Sequence, residues 1–509
     1  MSGRPRRTGL VAFALCLPAF VLLCTVNSAG YRYGASDQAF YVPAVLEHLD
    51  PTLFPRDDAL ISAQAGLTRT DETLAAVVRA SGAELPIVYA ILYVVSLTLL
   101  GLAGWLLARQ MYRSEWAAVA LLAALTLRHA IAHSGTNTLE AYFHPRQLAF
   151  ALGALGIAAF LRGRLAGAVA LVLAAAFLHP TTALWFALWL GMATVVAEQR
   201  LRIPLAALAG LGTIAGLWAL TAGPLAGRLV IMDSAWIATL ETKDYLFTPA
   251  WPLDAWFTNL AYIPIIVLLY RRRVAGGLAS EREHGVVAGC LALVVLFLAS
   301  LPFVAGHVAL AVQMQTGRIF WMLDFLAVIY AVWWLAEGAA LTLRRAQAVA
   351  FAIVLASTVR GAYVMTVVFP DRSLAQVDVR DDDWGKVMAW TRGTPPESGL
   401  MADPQHAARY GTSVRVAGER DVLVEAVKDT AIGMYSRDIA MRTRERIDAV
   451  GDFATLTPAR ARRLAERYGL DYLVTEQELA LPTAFQSGAL RVYRLRDPLP
   501  ATGAAHPPR

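Results

Sequence analysis

The sequence predicts an all-α polytopic membrane domain with a small C-terminal α/β domain, and its composition carries the prediction. Of 509 residues, 57% are hydrophobic and 17% are charged, whereas soluble domains carry about 25% charged residues. Apolar runs of about 20 residues recur through residues 1–369, which is the length that a helix needs to cross a bilayer. Residues 370–509 hold 20 basic and 20 acidic residues, so the net charge of +6 lies in the apolar part.

Eleven apolar segments are predicted to span the membrane. The first follows several arginines and resembles a signal peptide, but the many spans after it favour a first transmembrane helix. A break at His179-Pro180 separates the fifth segment from the sixth, because proline disfavours helix at the residue before it. The segments are 10–26, 86–108, 115–132, 147–161, 165–178, 181–197, 203–221, 257–270, 285–305, 319–341 and 346–368.

Arginines set the orientation of these spans. A cytoplasmic N-terminus makes every short inside loop basic, as the positive-inside rule requires, and the reverse orientation fails at each loop. The C-terminal domain is therefore predicted to be extracytoplasmic. The pI of 9.2 then reflects membrane topology, and no nucleic-acid partner is predicted. The loop residues are Arg109, Arg113, Arg162, Arg164, Arg200, Arg202, Arg271, Arg272, Arg273, Arg282, Arg344 and Arg345.

The extracytoplasmic domain is predicted to cover residues 370–496, and a Pro/Ala-rich disordered tail covers 497–509. Helices alternate with short strands, which favours a small α/β layer. The predicted helices begin at Asp381–Asp383, cover 430–448 and run from the Thr457 cap to Gly469, and the predicted strands are 399–402, 471–475 and 490–495.

Polar residues collect at the ends and loops predicted to be outside, which makes that face a candidate site. Asp37 follows the first span and begins an amphipathic helix that is expected to lie flat in the interface. Its carboxylate is suited to act as a general base or to orient an acceptor, and an N-cap role is the alternative. The other candidates are Glu140, His144, Arg146, His179, His307, Gln315 and Arg318, with Asp57 in the first outer loop, 27–85.

Two arginines begin spans on the outer side, Arg146 in His144-Pro145-Arg146 and Arg318 in Gln315-Thr316-Gly317-Arg318. A guanidinium binds phosphate at two points, so this pair predicts a site for a lipid-linked phosphate. Anchoring at the membrane interface is the alternative.

Three histidines, His144, His179 and His307, lie at the ends of spans, where a metal site or a helix cap would fit. None has the spacing of a metal motif, so no metal ligand is assigned, although a divalent cation stays open as a cofactor. Within the spans, Asp324 and Arg360 predict a structural ion pair. Gly210, Gly212 and Gly216 predict close approach of another helix.

The inside N-terminus, the long first outer loop with its acid, the eleven spans and the outer domain together resemble the GT-C superfamily of membrane glycosyltransferases. More narrowly, the chain resembles bacterial GT-C-like membrane proteins of unknown function, over nearly its whole length. The matching stretches are Ser36-Asp37-Gln38-Ala39-Phe40-Tyr41, Asp50-Pro51, Phe54-Pro55-Arg56-Asp57, His144-Pro145-Arg146, His179-Pro180-Thr181, Gln315-Thr316-Gly317-Arg318, Trp390 with Thr394-Pro395, and Val492-Tyr493-Arg494-Leu495.

This resemblance implies an inverting transferase in the bacterial cytoplasmic (inner) membrane, with the lipid bilayer around it. It would move a sugar from a polyprenyl-phosphate-linked donor to a glycan, lipid or protein acceptor at the outer face. Asp37 would be the base or acceptor-positioning acid, and Arg318 or Arg146 would hold the donor phosphate. Many GT-C enzymes carry paired acids where this chain has Ser36-Asp37-Gln38, and Asp57-Asp58 is a second acidic pair.

Two other functions fit the same sequence. One is a non-catalytic accessory subunit of the same fold, acting in envelope polysaccharide assembly. The other is a transporter or flippase, for which His179-Pro180 is the candidate broken helix.

Overall fold

Helices account for most of the chain in the computed structural model, which describes residues 5–338 and 342–496. The predicted tail, 497–509, and residues 339–341 of the tenth predicted span lie outside this description. The chain divides into two compact units. Of the described residues, the first unit, here called the membrane unit, comprises 5–33, 67–70, 81–338 and 342–377. The second, here called the mixed unit, comprises 34–66, 71–80 and 378–496.

Apolar helices build the membrane unit. Within the described residues, 7 helical stretches are long and apolar enough to cross a membrane, and helices of this kind are those of a multi-pass membrane protein. Shorter apolar helices occupy the remaining predicted spans. The helices are Pro5–Asn27, Leu85–Met111, Glu115–Leu125, Pro145–Leu161, Leu165–Leu178, Pro180–Ala197, Arg202–Thr221, Ser234–Leu240, Leu253–Ala275, Glu281–Ala305, Ala309–Met314, Ile319–Trp333 and Leu343–Tyr363.

The structure confirms the break at His179-Pro180 and corrects the third predicted span. One helix ends at Leu178 and the next begins at Pro180. The helix that begins at Glu115 ends at Leu125 rather than at residue 132. The residues after it form a short antiparallel pair of strands, Ala130–Ile131 with Thr136–Asn137. The loop after the second strand leads into the helix that begins at Pro145. A second pair, Tyr31–Arg32 with Ala375–Gln376, is parallel.

Close helix packing occurs at glycines other than those predicted. A Cβ added to Gly289 would lie 2.3 Å from the carbonyl oxygen of Trp189, and one added to Gly285 would lie 2.5 Å from that of Ala193. The helices Glu281–Ala305 and Pro180–Ala197 therefore touch backbone to backbone along a small-residue face. At Gly210, Gly212 and Gly216 an added Cβ would meet no described atom within 4 Å, so the close approach expected there is not found in the described structure.

The mixed unit contains a five-stranded sheet, whose strand order is Asp421–Val422, Gly399–Met401, Tyr472–Thr475, Leu490–Arg494 and Thr483–Ser487. The first three strands are parallel, and the last two pairings are antiparallel. Neighbouring residues in a strand point to opposite faces. Leu400 and Val474 accordingly join one apolar cluster, whereas Met401 and Leu473 join another. The predicted α/β layer is confirmed, with an apolar core on each face of the sheet.

The helices of the mixed unit follow the predicted caps closely. Thr457 caps the helix Pro458–Tyr468, which Gly469 ends in a left-handed conformation, as predicted. The helix predicted over 430–448 is instead two helices, because the chain turns at residues 433–436. The helices are Gln38–Leu49, Asp58–Ala65, Thr70–Ser81, Asp383–Arg392, His406–Tyr410, Val414–Ala417, Ala426–Ile432, Arg437–Val450 and Pro458–Tyr468.

Candidate functional site

Glu140 and Arg146 form a buried ion pair where the helix Pro145–Leu161 begins. Arg146 Nη2 lies 3.2 Å from Glu140 Oε1, and both side chains are less than a tenth exposed. The Gln147 side chain accepts the backbone N–H of Glu140 at 3.0 Å, and Asn137 donates to the Glu140 carboxylate at 3.2 Å. The loop before the helix is thereby tied to the first helical turn, which fixes the Arg146 guanidinium in place.

The two His-Pro pairs have the same local structure. His144 precedes the helix that begins at Pro145, and its Nδ1 accepts the backbone N–H of Arg146 at 3.0 Å. His179 precedes the helix that begins at Pro180, and its Nδ1 accepts the backbone N–H of Thr182 at 3.3 Å. Each histidine is therefore an N-cap, and the favoured interpretation from the sequence is confirmed for both.

Three other predicted site residues, His144, Arg146 and Arg318, act on His179. The rings of His144 and His179 have centroids 6.1 Å apart. Burial lowers the pKa of His179 well below its ordinary value, and His144, Arg146 and Arg318 lower it further through their charges. Both arginines therefore act on one imidazole, although they are 172 positions apart in the sequence. These residues, with Glu140, are here called the His179 cluster.

A tight turn before the helix Ile319–Trp333 carries Arg318, whose charge acts on His179. Gln315 is buried and adopts a left-handed conformation at φ 48°, after which Thr316–Arg318 form one 3-10 turn. Gly317 fits against Trp251, because a Cβ there would lie 2.7 Å from the indole. Gln315 thus shapes the turn that carries Arg318, and the structure gives it this local position rather than a measured contact with the cluster.

His307 lies apart from the His179 cluster. Its ring packs edge-on against Phe247, with centroids 5.9 Å apart, and its carbonyl accepts the backbone N–H of Met232 at 2.9 Å. These contacts indicate a structural role at the end of the helix Glu281–Ala305. Within residues 5–338 and 342–496, no group of three metal-ligating side chains is placed to hold a metal ion.

Asp324 and Arg360 do not form the predicted ion pair. Asp324 binds Nε2 of His129 at 2.9 Å. Arg360 instead donates to the carbonyl and the side-chain oxygen of Asn27, at 3.0 and 2.7 Å. The prediction is wrong because His129, which follows the shortened third helix, supplies the nearer cation for Asp324.

Asp37 belongs to the mixed unit, in a loop with two left-handed residues. Gly34 has a φ of 76° and Ser36 a φ of 53°, and Gln38 Oε1 accepts the backbone N–H of Gly34 at 2.6 Å. Positive φ at a non-glycine residue is strained and persists where the surroundings enforce it. Asp37 takes the N-cap position of the helix Gln38–Leu49, yet its side chain makes no capping hydrogen bond.

Lys428 holds this loop. Its Nζ lies 2.6 Å from Asp37 Oδ1 and 3.1 Å from Ser36 Oγ. Sequence reasoning missed Lys428, although the chain has only three lysines, and such rarity in an Arg-rich sequence is a signal. The helix Gln38–Leu49 does not lie in the interface as expected, because protein of the mixed unit buries its apolar side, including Tyr41, Val42 and Val45.

Asp57 lies at the centre of a buried ion network in the mixed unit. Its side chain is fully buried and accepts from Arg415 Nε at 2.7 Å and from Arg442. Arg415 also binds Asp429 through both terminal nitrogens, at 2.7 and 3.0 Å. Burial alone would raise the pKa of Asp57, but Arg415, Arg442 and Arg446 outweigh it and hold that pKa below its ordinary value. These surroundings favour a structural role over the predicted contact with a substrate.

Comparison with protein families and with curated proteins identifies no relative of this chain.

Proposed function

We propose that this protein is a membrane glycosyltransferase that moves a sugar from a polyprenyl-phosphate-linked donor to an envelope acceptor. The reaction takes place at the outer face of the bacterial cytoplasmic membrane. The His179 cluster carries the proposal, since the rings of His144 and His179 lie 6.1 Å apart at the starts of two apolar helices, and the charges of Arg146 and Arg318 act on His179. Arginines at such a place are suited to the phosphate of a lipid whose chain lies in the bilayer.

The reaction that fits these residues is a single displacement with inversion. The acceptor hydroxyl attacks the anomeric carbon, and the bond from that carbon to the donor phosphate oxygen breaks. Negative charge then grows on the departing polyprenyl phosphate, and Arg146 and Arg318 stabilise it. Glu140 positions Arg146 through the 3.2 Å ion pair. The acceptor hydroxyl gives its proton to a carboxylate base, and Asp37 is the acid that the resemblance names for this role.

Transfer by purified protein in lipid nanodiscs tests the proposal. The wild type is incubated with a panel of polyprenyl-phosphate sugars and candidate acceptors, and release of polyprenyl phosphate is followed by mass spectrometry. We expect release by the wild type and a loss of at least 100-fold in Asp37→Asn and in Arg318→Gln. Asp50→Asn is the matched control, because Asp50 is an exposed acid that ends the same helix. No release with any donor and acceptor would contradict the proposal.

A non-catalytic accessory subunit is the second candidate, and the ion pair between Asp37 and Lys428 favours it. A carboxylate held by a lysine at 2.6 Å has a structural use that needs no substrate. This candidate predicts that Asp37→Asn supports envelope polysaccharide assembly in cells as well as the wild type does. The transferase proposal predicts that the same variant fails.

A further inference from the structure

The hydrogen bonds of His144 and His179 determine where each ring carries its proton. In both rings Nδ1 faces a backbone N–H, from Arg146 at 3.0 Å and from Thr182 at 3.3 Å. A backbone N–H is always a donor, so each Nδ1 is an acceptor without a hydrogen. The neutral ring then carries its proton on Nε2, where it is a hydrogen-bond donor.

The charges around His179 keep it neutral. The side chains that act on it are His144 and Arg146 at the start of one helix and Arg318 before another. Both arginines are positive, and although Arg146 is paired with Glu140, the charges of both oppose a further positive charge on the imidazole. Burial opposes protonation as well, so the pKa of His179 lies well below its ordinary value.

Nε2 is the part of His179 that remains for a ligand. Every hydrogen bond of this ring with the described residues is made through Nδ1, to Thr181 Oγ1 at 3.2 Å, to Thr182 Oγ1 at 3.0 Å and to the Thr182 N–H. The Nε2–H donor therefore belongs to a ring whose centroid lies 6.1 Å from that of His144 and on which the charges of Arg146 and Arg318 act. A group that accepts hydrogen bonds and carries negative charge is the chemistry that fits such a place.

We propose that His179 is a neutral hydrogen-bond donor, through Nε2–H, to the phosphate of a polyprenyl phosphate bound at the His179 cluster. Arg146 and Arg318 supply positive charge to the phosphate. The neutral imidazole orients the phosphate through a directional hydrogen bond and adds no charge. Pro180 stabilises this arrangement because it fixes the first helical turn. The backbone N–H of Thr182, in that turn, binds Nδ1 of His179. This inference rests on the proposed function for the identity of the lipid, but it concerns binding alone.

Two substitutions separate the two nitrogens of His179. Asparagine at position 179 places an oxygen where Nδ1 accepts, which preserves the N-cap, and it has no group at the position of Nε2. Glutamine reaches the position of Nε2 with an N–H donor and gives up the favoured cap. His179→Asn should therefore fold with wild-type stability and bind phosphate poorly. His179→Gln should be less stable and bind better than His179→Asn.

Binding of farnesyl phosphate to the full chain in nanodiscs measures this difference. We expect His179→Asn to weaken binding about tenfold or more, because a hydrogen bond to a charged group is lost. Farnesol and inorganic phosphate are the control ligands, and both should bind far more weakly than farnesyl phosphate. Wild-type affinity should stay level from pH 7 to pH 8.5, because a neutral imidazole does not titrate there, whereas a cationic donor would lose its charge.

Several outcomes would overturn the inference. Equal affinity of His179→Asn and the wild type would leave the ring as a cap only. Equal affinity for inorganic phosphate would show a site for the free anion rather than for a lipid, and no binding of farnesyl phosphate would remove the anion site altogether. If the wild type binds farnesyl phosphate and His179→Asn does not, the inference stands even when no sugar transfer is detected, and only the transferase proposal fails.

Discussion

Lys428 donates from its ammonium to the carboxylate of Asp37 across 2.6 Å, joining residues 391 positions apart in the sequence. The lysine also binds the hydroxyl of Ser36, whose backbone has a positive φ of 53°. The ion pair therefore offsets the strain of the loop that presents Asp37. Removing either partner takes away this ion pair in a place where Lys428 is 16% and Asp37 25% exposed.

A double-mutant cycle with Lys428→Met and Asp37→Asn tests this coupling. We expect each single variant to destabilise the chain and the double variant to lose less than the sum. The interaction energy should be on the order of 1 kcal/mol, because the pair is only partly buried. Thermal unfolding of the full chain in nanodiscs gives the three differences. Strict additivity would mean that Asp37 and Lys428 act independently.

Asp57 predicts a much larger effect. Asp57→Asn removes the charge that Arg415, Arg442 and Arg446 share inside the mixed unit. Breaking a buried ion pair on one side costs about 3–5 kcal/mol, and here Arg442 and Arg446 lose this carboxylate while Arg415 keeps Asp429. Thermal unfolding should show this loss, and Asp58→Asn, at the exposed neighbouring acid, should unfold as the wild type does. Similar unfolding of both variants would contradict the buried network.

Glu425 makes the stability of the mixed unit depend on pH. Burial raises the pKa of this carboxyl to about 7, and the charge of Asp429 adds to the effect. Between the ordinary pKa of about 4.3 and pH 7 the folded chain keeps a proton that the unfolded chain releases. Stability therefore falls as the pH rises through this window and is level above it. Glu425→Gln should be more stable than the wild type at pH 8, by about 2–3 kcal/mol, and nearly equal at pH 5.

Thermal unfolding at the two pH values measures that difference. Glu397→Gln is the control, since Glu397 is exposed in the same unit and should show no pH-dependent gain. A gain from Glu425→Gln that is the same at pH 5 and pH 8 would place its cause elsewhere than in proton binding.

Gly289 and Gly212 form a matched pair for helix packing. Gly289→Ala forces a methyl group against the backbone of Trp189, where a Cβ would lie at 2.3 Å, and should cost about 1–3 kcal/mol. Gly212→Ala meets no described atom within 4 Å and should be neutral or slightly stabilising, because alanine favours helix. Thermal unfolding of both variants in nanodiscs decides the matter. A large loss in Gly212→Ala would reveal a partner at that helix.

Features that depend on neighbouring residues in the sequence could be predicted. The break before Pro180, the two histidine caps and the Thr457 cap all depend on residues within a few positions, and the structure confirms them. The grouping of Arg146 and Arg318 also followed, because the positive-inside rule assigned both helix starts to one side. The positive-inside rule could not predict that Arg146 and Arg318 both act on His179, because it assigns residues to a side of the membrane and gives no distances between them.

Long-range pairings were the part that the sequence did not reveal. Asp324 was paired with Arg360 from depth alone, but His129 takes that place at 2.9 Å. Lys428 gave no periodic or motif signal, and Asp57 was assigned to a substrate contact because Arg415, its buried partner, follows more than 350 residues later. Such contacts depend on how distant segments come together, which local propensity does not encode.

The pairing of Asp57 with Arg415, residues 358 positions apart, has a consequence for the order of synthesis. A ribosome adds about 5–20 residues per second, so Arg415 follows Asp57 by roughly 20–70 s. During that interval nearly all the apolar helices are made, while the segment 34–66 waits without the arginines that complete its fold. A chain that ends before Arg415 would therefore contain the apolar helices and a segment 34–66 that lacks the arginines that pair with Asp57. Residues near the end of the chain therefore complete the fold of residues 34–66 near its start.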